Sequence, residues 1–239
     1  MRSMRRGVAA GTLAALGAIL SGCVTRQAAP PAARPLPSPL VGRPFDVSTA
    51  QSQLIVLVYR AGPLAALGHN HVISCRCLTG TIYVPRDPAH AAFDLRFGVA
   101  QLTVDDPALR AAEHGADFPP DVAPSARQGT RHNMLSAALL NAAKYPSIVL
   151  RSAGLRPPPD GKPGDMIAQV LVQLDAGWHS VAVPLHYAIR NGEIVASGEF
   201  SLKQTDLGLT PISALGGGLT VQDGMNIRLR LVAIPRRHS

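Results

Sequence analysis

From Gln53 onward, apolar side chains return at every second position in one segment after another, the spacing at which strand residues share a face. Between Phe93 and Val99 the residues Phe93, Leu95, Phe97 and Val99 hold one side, and Asp94 and Arg96 fall on the other. Val181, Val183, Leu185, Tyr187 and Ile189 repeat the pattern, as do Ile194, Ala196, Gly198, Phe200 and Leu202, and then Ile227, Leu229 and Leu231 between Arg228 and Arg230. Adding Gln53–Arg60, His71–Val84, Ser147–Gly154 and Met166–Ala176 gives about eight strands at hairpin-like spacing. Asn191-Gly192 is the clearest tight-turn pair among them. The fold class expected is all-β. About eight antiparallel strands can close into a barrel wide enough for packed side chains or one small ligand, and closure removes the exposed edges. With no free edge to pair, a monomer is expected.

Asp105 to Pro146 breaks the alternation, as a long loop and a short helix inserted in the barrel. Asp117-Phe118-Pro119-Pro120-Asp121 reads as loop, and Met134, Leu135, Ala138, Leu139 and Ala142 have helical spacing. A helix over 133–143 is expected, with Thr130 or Asn133 as its cap and Pro146 beyond its end.

The amino terminus has a separate logic. Arg2, Arg5 and Arg6 precede an apolar, charge-free run from Gly7 to Leu20, too short to span a bilayer comfortably. This reads as a signal peptide over residues 1–22. Leu20-Ser21-Gly22-Cys23 resembles a bacterial lipobox, which makes Cys23 the acylated mature terminus and the membrane anchor. Several acyl chains hold far more firmly than one, at about 0.8 kcal/mol per buried methylene. Val24, rather than Asp, after that cysteine favours the outer membrane, facing the periplasm. Residues 23–44 are proline-dense and read as a tether, leaving 45–239 as the folded domain. Loss of the three signal arginines takes the net charge from +8 to +5. The remaining cations are scattered singly, unlike a nucleic-acid surface, so no nucleic-acid partner is expected.

His69, His71, Cys75 and Cys77 would share one face of a continuous strand, and imidazole with thiolate suits zinc or copper. Steps of about 6–7 Å along a strand spread such a set, so a metal site would require a turn at Gly68 or Asn70. The plainer reading places His69, Asn70 and His71 in a loop at the barrel mouth, with no metal. Cys75 and Cys77 are the two thiols left once Cys23 is acylated. They can be a small, labile bridge, two free thiols, or a link to another chain. A metal-binding or redox protein built on these four residues is the alternative function. The sequence has no Gly-x-Ser-x-Gly elbow, His-Glu-x-x-His pair, P-loop or dinucleotide fingerprint. His132, His179 and His186 stand alone, so neither an enzyme nor a cofactor is expected.

Several segments, in order, resemble the YceI-like family. They are Gly68-His69-Asn70-His71-Val72-Ile73, then Gly80, Phe93-Asp94-Leu95, Gly129-Thr130-Arg131-His132-Asn133-Met134-Leu135 and Lys144-Tyr145-Pro146-Ser147-Ile148. Ala196-Ser197-Gly198-Glu199-Phe200 and Gln204-Thr205-Asp206-Leu207-Gly208 follow, so the resemblance runs from about Gln51 to Ala233. Gly177-Trp178-His179-Ser180 departs from the Leu-His-Gly run the family often shows there.

The resemblance implies an extended lipocalin-like barrel that binds polyisoprenoid lipids, so the partner expected is a long-chain isoprenoid such as a quinone or polyprenol. Leu95, Phe97, Val99, Val183, Leu185, Phe200, Leu202, Leu229 and Leu231 are then the expected barrel lining, with the lipid head near His69, Asn70 and His71. From alternation alone, those nine residues either fill a closed core or line a hollow one.

Overall fold

A computed structural model describes residues 37–113 and 116–237. The signal segment, the Cys23 anchor, most of the tether and His114 lie outside the described residues.

The strands run in chain order as β1 (Arg43–Val47), β2 (Gln53–Ala61), β3 (His71–Cys75), β4 (Thr79–Val84), β5 (Ala92–Gly98) and β6 (Thr103–Val104). They continue as β7 (Ser147–Arg156), β8 (Asp165–Gln173), β9 (His179–Arg190), β10 (Glu193–Lys203), β11 (Ser213–Ala214) and β12 (Leu219–Pro235). Eight of them, in the order β1-β4-β5-β7-β8-β9-β10-β12, form an antiparallel ring that closes where β12 meets β1. This is the all-β, lipocalin-like barrel expected from the alternation. Asn191 and Gly192 both take positive φ, 52° and 79°, and form the two-residue turn between β9 and β10.

β12 makes the closure possible by its length. One edge pairs with β10 from Gly224 to Ala233. The other edge is shared, by β2 from Thr220 to Arg230 and by β1 from Ala233 to Pro235. β2 carries β3 and then β6 outward, so a three-strand flap extends the wall at one end of the ring. The flap is covered on its outer side as well, where Leu57 and Val72 pack with Phe118, Leu109 and Tyr59. Burial on both faces explains why Leu54-Ile55-Val56-Leu57-Val58 is a continuous apolar run without alternation.

Four expectations change. Arg43 and Pro44, read as the end of the tether, belong to β1, where Pro44 pairs with Tyr83 and its carbonyl accepts from Arg236 N–H. The stretch read as one strand over 71–84 is two strands, broken at Arg76-Cys77-Leu78. The helix expected over 133–143 is α2 (Pro124–Leu135), which ends as that stretch begins. Ser136 leaves the helical region, its hydroxyl donates to Asn133 O and accepts from Ala138 N–H, and Asn141 takes φ 44°. Met134, in the last turn of α2, and Leu140, in the turns beyond it, both reach the core. A second helix, α1 (Pro107–Ala112), lies in the part read as loop. Asp106 caps it by accepting from Ala108 and Leu109 N–H, with Pro107 in the first turn.

Two glycines test the backbone in opposite directions. Gly80 sits at φ +131°, where an added Cβ would come 2.2 Å from Asp94 O on the neighbouring strand, whereas Gly129 in α2 faces open space. Gly80→Ala is expected to cost about 2–4 kcal/mol of unfolding free energy. Gly129→Ala should add about 0.5–1 kcal/mol. Urea denaturation of the two variants checks both signs.

Candidate functional site

The barrel is hollow. A cavity of about 520 Å³ runs inside it, within the range of about 300–1,000 Å³ common to small-molecule sites. Leu95 and Phe97 of β5, Val183 and Leu185 of β9, Phe200 and Leu202 of β10, and Leu229 and Leu231 of β12 all line it. Val99, the ninth expected residue, does not. β5 ends at Gly98, Val99 opens a 3-10 turn, and its side chain is 1% exposed in the core beside the cavity. The alternation cannot be carried past the end of the strand. Lining residues missed from the sequence include Leu54, Val56 and Val58 of β2, whose doubly buried run hid their phase.

The wall is almost wholly apolar, and Arg60 is the one Lys, Arg, Asp or Glu that lines it among the described residues. Polar groups gather where β2, β3 and α2 meet, with His69, His71, Thr130 and Asn133 all on the cavity surface. His71 is the best-defined of them. Its Nδ1 lies 2.7 Å from Asp105 Oδ2, and its Nε2 lies 3.2 Å from Thr130 Oγ1. Asp105 itself is 1% exposed, at φ 52°, directly before the α1 cap. Its Oδ1 accepts from Val72 N–H at 2.9 Å and from Arg110 Nη1 at 2.8 Å. Arg110 is equally buried, donates further to Asn70 O and Pro119 O, and stacks on the Phe118 ring. Burial acts to raise the Asp105 carboxyl, but the bond from His71, the Val72 N–H and the charges of His71 and Arg110 outweigh it and hold it below the usual carboxylate range.

His69 stands beside this pair, its ring centre 6.2 Å from that of His71. Burial first, then His71, Arg110 and Arg60, push its imidazole below its ordinary value. Asn70, expected at the mouth, does not line the cavity. Its Oδ1 accepts from Arg60 N–H and its amide donates to Asp117 O, so it ties β2 to the loop before α2. The structure thus joins His71 to Asp105, Arg110 and Thr130, three residues that sequence reasoning did not connect to it. Separations of 34 and 59 residues left no local signal.

Cys75 and Cys77 form a disulfide and are both buried. That pairing corrects the set of four ligands, because bridged sulfurs are not thiolates, and no group of three or more His, Cys, Asp or Glu suited to a metal occurs among the described residues. The remaining histidines are spread out. His132 is exposed on α2, His179 lies 3.4 Å from Asp175, and His186 lies 2.8 Å from Asp165.

No protein-family model and no curated protein matches this sequence. Among solved structures, BcnA of Burkholderia cenocepacia has a TM-score of 0.55 at 14% identity, over 78% of this chain and 99% of that one. The chain has the YceI-like barrel fold. A YceI protein of Campylobacter jejuni has a TM-score of 0.43 at 12% identity, over 67% and 82% of the two chains. In this YceI-like barrel the polar corner sits against an otherwise apolar wall, an arrangement able to orient one end of an elongated apolar molecule.

Arg110→Ala leaves the Asp105 carboxylate buried without its cation and should cost about 3–5 kcal/mol, read by urea denaturation at neutral pH. Because the folded-state pKa of Asp105 is lowered, its contribution is full above the usual carboxylate range, near about 3.9, and is lost as the pH falls through the folded value. Asp105→Asn should flatten the acid limb of a stability-against-pH series.

Proposed function

We propose that the protein is a membrane-tethered carrier, anchored through Cys23 on the periplasmic side of the outer membrane. It shelters a long isoprenoid lipid, a quinone or polyprenol, inside the barrel. The observation that carries this reading is the cavity inside the barrel, lined mostly by aliphatic and aromatic side chains, with His69, His71, Thr130 and Asn133 on one part of its surface. Such a wall has little to offer water, which needs two to four polar partners to be held. It has much to offer a hydrocarbon chain, since burying apolar surface is worth about 25 cal/mol per Å². The polar corner suits the head of an amphipathic lipid rather than its tail. The carrier acts as a monomer and performs no chemistry on its cargo.

Native mass spectrometry of the chain purified from a bacterial envelope, followed by organic extraction, tests the reading. A polyprenyl mass that leaves with solvent is expected, and a bare protein mass would overturn it. Ala196, which lines the cavity from β10, gives the matching variant. Ala196→Trp should fill the space and abolish the bound mass. Its overpacking cost should stay within about 1–3 kcal/mol, so the protein remains folded by circular dichroism.

A further inference from the structure

A second pocket, of about 280 Å³, lies at the bend between β3 and β4 and shares only Phe97 with the main cavity. Cys77 lines it and Cys75 does not, so the bridge meets this pocket from one side only, while Cys75 is 1% exposed. Apart from Phe97 and Gly98 the wall is polar, with Arg76 and Arg96 beside Thr79, Gln101 and Ser147, and it holds no carboxylate. Both arginines are exposed, and neither has an acidic partner among the described residues. The buried sulfur has a donor of its own. Cys77 N–H donates to Cys75 Sγ at 3.1 Å, a bond that strengthens as the sulfur gains negative charge.

We propose that Cys77 is a site of thiol–disulfide exchange with small thiols that carry carboxylates. The activity is independent of what the barrel holds. The incoming thiolate attacks Cys77 Sγ, an S–S bond forms between the two, and the Cys75–Cys77 bond breaks. Its electron pair goes to Cys75 Sγ, where the Cys77 N–H stabilises the leaving thiolate until solvent supplies a proton. A second thiolate attacks the small-molecule sulfur of the mixed disulfide, forms the oxidised small-molecule dimer and leaves the electron pair on Cys77, which is protonated in turn. Two small thiols have then become one disulfide, and the bridge has become two thiols. The reverse sequence, with the small-molecule disulfide as oxidant, restores the bridge without any other redox partner. Arg76 and Arg96 draw anionic thiols to the pocket and favour the thiolate form of Cys77. Attack falls on Cys77 because Cys75 is closed to the pocket.

The chain supplies its own readout, because trypsin cuts after Arg76 and so puts Cys75 and Cys77 on different peptides. The full chain is incubated with limiting glutathione, quenched with iodoacetamide, digested and analysed by mass spectrometry. Glutathione is expected on the peptide that begins at Cys77, and the alkyl label on the peptide that carries Cys75. Cysteamine, a thiol with a cation and no carboxylate, is the comparison. At equal thiolate concentration and low salt, glutathione should open the bridge about ten-fold faster, and high salt should close the gap. The double variant Arg76→Gln, Arg96→Gln should remove the gap while circular dichroism shows the fold unchanged. An adduct chiefly on the Cys75 peptide, equal rates for the two thiols, a gap that survives the double change, or a bridge that opens only when urea unfolds the chain would each overturn the proposal.

Discussion

A sheet closes into a barrel only if its last strand finds partners on both edges, and β12 finds three of them besides the two-residue β11. β10 takes one edge, while β2 and β1 divide the other between Thr220 and Pro235. The division produces the shape of the molecule. Where β1 is the partner the ring is complete, and where β2 takes over the wall runs on into the flap of β2, β3 and β6. The register shift between Val221 and Met225 lies inside the β2 pairing, where the long strand must serve both the ring and its extension.

That extension is where polarity enters an apolar interior. The flap brings His71 to the cavity, and the insertion between β6 and β7 brings Asp105, Arg110 and Thr130 against it. A buried carboxylate and a buried guanidinium are expensive to desolvate, and such a pair persists only when its other hydrogen bonds are also made. Val72 N–H, Asn70 O and Pro119 O make most of them here, and Arg110 Nη2 is left buried without a partner. The pair also fastens the insertion to the flap, so the geometry of the polar corner and the placement of α1 share the same bonds.

The barrel was legible because alternation is a local property that closure preserves. Phe93, Leu95 and Phe97 show their phase within seven residues, and Asn191-Gly192 announces its turn by itself. What was not legible depended on distance or on chain ends. Val99 followed the rhythm of β5 but came after its last residue, and Leu54, Val56 and Val58 were masked because both faces of β2 are covered. Met134, Leu135, Leu139 and Ala142 have helical spacing and all pack on the core, yet the helix ends at Leu135, because the Ser136 hydroxyl takes up backbone groups that a continuing helix would use. The partners of His71 were hidden for a simpler reason. Nothing in Asp105-Asp106-Pro107 says that the first aspartate turns inward at φ 52° while the second caps a helix.

The disulfide between Cys75 and Cys77 encloses a loop of the smallest practical kind, with a separation of two residues. Cross-links restrain an unfolded chain in proportion to the logarithm of the loop they close, so this one removes little of its freedom. It joins no two strands of the ring, and it sits at the bend between β3 and β4. The architecture of the barrel therefore owes almost nothing to the oxidising power of its surroundings. A change in that power would be felt at one bend and leave the circuit of eight strands as it was.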